Sequence, residues 1–163
     1  MNYLNLDPKR TEATVEQLNV LLADYHIYYQ KLRNFHWNVV GENFFDLHEK
    51  FEEMYNDTLI KIDEIAERIL TLRYQPVSHL SEYLKMANLK ESPSETADLE
   101  MIELLLEDHG KLLTQMRKTV NFADEGGDEG TIDLLGAYIR ELEKTSWMLD
   151  SWRMIKSETH KKS

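Results

Sequence analysis

The chain has 163 residues, long enough for one domain with its own core, and no cysteine, which excludes disulfides and thiolate metal sites. Its formal net charge of −11 opposes non-specific binding to nucleic acid or an anionic membrane and favours cations. Six Gly and three Pro among many Leu, Glu, Lys and Met point to an all-α chain. With neither an apolar run of membrane-spanning length nor a leader segment, a cytoplasmic protein is expected.

A single domain over 1–163 is expected, opening with a short arm at 1–10. Thr11, or Thr14 with Gln17 three residues on, can start the first helix, whose apolar stripe (Leu18, Leu21, Leu22, Tyr25, Tyr29, Leu32) runs to about Val39. Gly41 stops it and Asn43 can cap the next, so the first two helices pack antiparallel across a short turn. From Phe44 to Arg73 there is neither Pro nor Gly, and apolar residues recur at three- and four-residue steps, predicting a long second helix that ends near Tyr74, before Pro76. Residues 75–93 form a connection too long for a hairpin, with a short helix from Ser81 to Ala87. The third helix is expected from Ser94 and the fourth from about Gly130 or Thr131 to near Ser157, joined by the acidic turn 124–130. A mobile tail is expected at 158–163. Four long helices with a crossover between the second and third match a ferritin-like four-helix bundle.

His36 falls in the last turns of the first helix and His48 in the first turns of the second, so the hairpin brings them into one neighbourhood. On the second helix His48 and Glu52 share a face, as do Asp63 and Glu67. Imidazole and carboxylate together suit iron and other borderline divalent metals, zinc included. A di-iron site inside one bundle would draw on Glu-x-x-His pairs. The residues three before each histidine are Ala23, Arg33, Phe45, Pro76, Leu106 and Ser157, and none is acidic. His48 and Asp63 are fifteen residues apart, about 22 Å along a helix, whereas metal–ligand bonds are about 2 Å. If these residues make one site, two copies of the chain must share it.

The run His-Trp-Asn-Val-x-Gly-x-x-Phe-x-x-Leu-His from His36 to His48, followed by Asp-x-x-Ala-Glu-Arg from Asp63, closely resembles the Dps family of mini-ferritins (DNA-binding proteins from starved cells). So do Gly-Asp-x-Gly-Thr-x-Asp-Leu-Leu from Gly127 and Glu-Lys-x-x-Trp-Met-Leu from Glu143. The resemblance covers roughly residues 11–155. It implies a hollow homo-dodecamer with ferroxidase centres at two-fold interfaces. His36 and His48 would come from one subunit, Asp63 and Glu67 from its partner, and Glu52 would serve a second iron. The family oxidises Fe(II), typically with hydrogen peroxide, and stores Fe(III) mineral, which protects against oxidative damage. By the same resemblance Asp128 and Asp133 fall where relatives line iron-admitting pores; Asp124 lies in the same turn. The competing reading makes Asp128 an ordinary residue at a helix N-terminus. Trp37, next to His36, is a candidate radical or electron relay, against simple packing at an interface. Many relatives carry a His before the Trp where this chain has Thr145-Ser146.

The alternative function is DNA compaction in the nucleoid, for which relatives commonly use Lys-rich arms. This chain offers Lys9 and Arg10 against Asp7, and Lys156, Lys161 and Lys162 against Glu158. No robust DNA binding is expected.

Overall fold

The computed structural model describes residues 3–160, with side chains described to residue 154. Among the described residues, four long helices and one short one make up the regular structure: α1 (Pro8–Asn38), α2 (Phe44–Thr71), α3 (Leu80–Met86), α4 (Asp98–Gly126) and α5 (Glu129–His160). The all-α bundle with a short helix in the crossover is as the sequence predicts.

α1 starts earlier than Thr11. Asp7 is its N-cap, the carboxylate accepting from the Arg10 amide at 3.0 Å, and Pro8 supplies a pre-set φ at the first turn. Thr11 and Thr14 donate their hydroxyls back to the carbonyls of Asp7 and Arg10 as residues inside the helix. The expected arm therefore shrinks to the residues before Pro8. α2 ends at Thr71, short of Tyr74, where Arg73 turns the backbone into the left-handed region at φ 74°. α4 begins at Asp98, not Ser94, with Ala97 at its N-cap. Gly127 at φ 67° closes α4, a conformation glycine adopts without steric penalty. The tail expected at 158–163 lies outside the described residues, apart from the helix backbone to His160.

α1 is the central element and packs against α2, α3 and α4, while α4 packs against α5. Sixteen of its 31 residues are buried, so polar side chains had to be accommodated inside. Asp24 accepts from the amides of Asn88 (2.6 Å) and Leu89 (3.0 Å) and from the Asn88 side chain (3.0 Å), which pins the crossover to the bundle. Lys31 forms a buried ion pair with Asp108 of α4. Desolvation raises both carboxyls above their usual range, opposed by these donors.

α2 behaves differently, burying only eight of its 28 residues. Phe51, Ile65 and Ile69 of that set are 0 % exposed in the chain's own core. Leu59 and Ile60, by contrast, are 50 % and 59 % exposed beside the exposed Asp63 and Glu67. Ile62, Ile65 and Ile69, neighbours of these carboxylates in the sequence, are buried. Those three face inward, and Leu59 and Ile60 supply the outward apolar surface.

Candidate metal centre

The α1–α2 turn folds His36 onto His48. Their rings stack with centroids 3.7 Å apart and planes 18° from parallel. Each Nδ1 bonds the other residue's backbone carbonyl, His36 Nδ1 to His48 O at 2.7 Å and His48 Nδ1 to His36 O at 2.8 Å. A carbonyl oxygen only accepts, so Nδ1 carries the hydrogen in both rings. In the neutral rings Nε2 is then the nitrogen with a lone pair for a metal. Orienting an imidazole through Nδ1–H to a carbonyl is how metal-binding histidines are held. Phe44 stacks on His48 at 4.8 Å, and Tyr55 stands edge-on to His36 at 5.3 Å.

Glu52 lies one turn below His48, exposed, and close to Tyr55. Desolvation first, then the Glu52 charge, raises the Tyr55 phenol above its ordinary value. Asp63 and Glu67 stand further down α2 on the same outward face. Among the described residues, no three His, Asp or Glu side chains converge into a metal cluster. The structure thus brings His36 and His48 together and leaves the carboxylate pair apart from them on an exposed surface. Trp37 is 58 % exposed, with the Arg33 guanidinium 4.7 Å over its ring. Tyr55, one of the apolar positions that recur along α2, is the phenol that stands against His36. Its position three residues after Glu52 and seven after His48 put it on that face.

The acidic turn divides in two. Asp128 is 4 % exposed. Its carboxylate accepts from the Thr131 amide (3.0 Å) and hydroxyl (2.6 Å) and pairs with Arg68 Nη2. It is the cap of α5, as the competing sequence reading has it. Asp124 and Asp133 are exposed. The Arg68 guanidinium passes so close that a Cβ at Gly130 would stand 2.8 Å from it. Asp128→Ala removes a cap worth about 1–2 kcal/mol and leaves Arg68 without its carboxylate. A drop of roughly 1–3 kcal/mol in unfolding free energy, read by denaturant titration, is expected; an unchanged midpoint would show that the clasp contributes nothing.

The other histidines have different partners. His26 stacks on Tyr83 of α3 at 4.1 Å, and His79 bonds Glu82 at 2.6 Å. His109 is 1 % exposed between Tyr28 Oη and Ser146 Oγ, each 2.7 Å away, and Ser146 passes its own hydrogen to the Leu142 carbonyl. Burial pushes the His109 imidazole down to about 4.

A four-helix bundle with a crossover helix is the architecture of a ferritin-like protein, and the ferritin-like domain family matches residues 15–154. DNA protection during starvation protein 2 of Bacillus anthracis is 44 % identical over 139 residues, covering 85 % of this chain and 94 % of that one. The crystal structure of a Vibrio cholerae O1 Dps protein, described as one of a broad superfamily of ferritin-like diiron-carboxylate proteins, superposes with a TM-score of 0.90. It is 44 % identical and covers 93 % of this chain and 96 % of its own. A Listeria innocua Dps soaked with zinc superposes with a TM-score of 0.82 at 32 % identity, covering 85 % and 94 %. The chain belongs to the Dps family of mini-ferritins.

Proposed function

We propose that this chain is a ferroxidase and iron store, oxidising Fe(II) at sites shared between two copies. The observation that carries the reading is the division of ligands along α2. An oriented histidine pair sits at one end, and an exposed carboxylate pair beside outward-facing Leu59 and Ile60 sits at the other. Among the described residues nothing in the same chain completes either half. An antiparallel second copy of α2, related by a two-fold axis, would lay Asp63 and Glu67 against the partner's histidines at both ends.

In that arrangement Nε2 of His36 and His48 receive Fe(II), and the harder Asp63 and Glu67 carboxylates favour the Fe(III) product. Glu52, one turn from His48, serves a second iron. Zinc, with the same taste for imidazole and carboxylate, would compete for the site. Hydrogen peroxide is the preferred oxidant, and the Fe(III) mineral is kept inside a dodecamer in the cytoplasm. Of the turn carboxylates, Asp124 and Asp133 are the ones available to attract iron to a pore. No helix among the described residues is long and apolar enough to cross a membrane. The charge of −11 per chain weighs against DNA compaction as the primary role.

The test is Fe(III) absorbance after adding Fe(II) and peroxide to the wild-type protein and to a His36→Ala, His48→Ala double variant, with assembly followed by light scattering. Wild-type oxidation that disappears in an assembled double variant is the expected outcome. An assembled variant that oxidises iron at the wild-type rate would remove the histidines from the chemistry.

A further inference from the structure

We propose that Arg33 is the counter-cation of the shared site before metal arrives, pairing with the partner's Asp63 and Glu67 when two copies meet and releasing them when a divalent cation binds. The inference rests on the shared-site reading above and concerns what holds that interface together while it is empty of metal. From Lys31 to Arg68 the chain carries five cations. Lys31 pairs with Asp108, Lys50 with Glu53 at 3.0 Å, Lys61 with Asp57 at 2.5 Å and Arg68 with Asp128 at 2.5 Å. Arg33 is the exception. Among the described residues no carboxylate lies within ion-pair distance of it. Its half-buried guanidinium rests over the rings of Tyr29 (5.3 Å) and Trp37 (4.7 Å), with Gln30 Oε1 at 3.4 Å.

The carboxylates of the outward α2 face show the converse. Glu52, Asp63 and Glu67 are exposed, and among the described residues none of them has a cation as partner. Arg33 stands one turn before His36 on α1. Its charge reaches the Tyr55 phenol, where it opposes the upward pull of desolvation and of Glu52, and Tyr55 stands 5.3 Å from His36. The uncommitted cation thus lies at the histidine end, and the uncommitted carboxylate pair lies at the far end of α2. An antiparallel second copy brings the two together, once at each end of the seam.

The need for such a cation follows from the charges. In a metal-free interface Glu52 and the partner's Asp63 and Glu67 would lose water beside neutral imidazoles, and desolvated like charges repel. A guanidinium answers them with a planar fork of donors suited to carboxylates. Its hold on two ring faces is the weaker attraction and is readily given up. A divalent cation held by Nε2 of His36 and His48 carries twice the charge and bonds the carboxylates directly, so it takes them and returns Arg33 to the rings.

Sedimentation velocity over a dilution series, in chelator and in saturating Zn(II), tests the exchange; zinc is chosen because it is not oxidised. In chelator Arg33→Gln is expected to need about tenfold more protein than the wild type to assemble, with Arg33→Lys between the two. Lys50→Gln, which removes a cation already paired within its own chain, assembles like the wild type. Saturating zinc brings Arg33→Gln back to the wild-type curve, a rescue that a merely structural loss would not allow. Equal assembly of Arg33→Gln and wild type in chelator overturns the proposal, as does a deficit that zinc leaves in place or that Lys50→Gln shares. Those outcomes leave the shared site standing. Zinc that promotes assembly of the His36→Ala, His48→Ala variant as strongly as that of the wild type overturns the shared site and the part of Arg33 in it together.

Discussion

Subunits carrying His36→Ala with His48→Ala, unfolded and reassembled with an equal amount of Asp63→Ala, Glu67→Ala subunits, are expected to recover about a quarter of wild-type iron oxidation, although each variant alone has none. In a two-fold dimer every site takes histidines from one copy and carboxylates from the other. A mixed dimer therefore has one site with both halves lost and one with both halves intact. Random pairing makes half the dimers mixed, hence a quarter of all sites whole. Native mass spectrometry establishes that mixing occurred. Mixed assemblies that remain inactive would refute the shared site, because ligands confined to one chain cannot be complemented by another.

Acid is expected to weaken the fold through His109. Its imidazole is held neutral between Tyr28 and Ser146, and burial lowers it to about 4 against an ordinary 6.5. The folded state refuses a proton that the unfolded chain accepts, so the contribution is complete above pH 6.5. It is lost progressively as pH falls toward 4 and levels off below that. A shift of this size corresponds to roughly 3 kcal/mol per subunit, an order-of-magnitude figure. The carboxyls of Asp24 and Asp108, raised by burial, contribute with the opposite sign where burial dominates. The informative quantity is therefore the difference between wild type and His109→Gln. The variant, which cannot charge, is expected to show a flatter loss of its urea midpoint between pH 6.5 and 4. Equal slopes would mean that His109 is solvated or already paired when charged.

The features legible in the sequence were local and periodic. The three- and four-residue spacing of α2 put Asp63 and Glu67 on one face and fixed their separation from His48. Gly41 placed the hairpin that joins the histidines. Other features depended on contacts far apart in the chain. The start of α4 at Asp98 could not be read from Ser94, because Asp24 on α1 holds the amides of Asn88 and Leu89 and keeps the crossover extended. Asn43 has the composition of a cap, but its side chain donates to Asp98 instead. Asp128 carried signals for both a pore and a cap. Arg68, sixty residues earlier, takes part in the pairing that leaves it as a cap. The stripe of α2 likewise did not say which isoleucines face inward, since that depends on where α1 lies.

The outward face of α2 also has a consequence for mass action. On the shared-site reading a metal ion meets its full ligand set only after two chains have met, so it binds the pair and hardly the single chain. The apparent association constant of the dimer then rises by a factor of 1 + [M]/Kd for each of its two sites. Free metal becomes a reagent of subunit assembly, and the protein concentration needed to build the shell falls as the ion it removes accumulates.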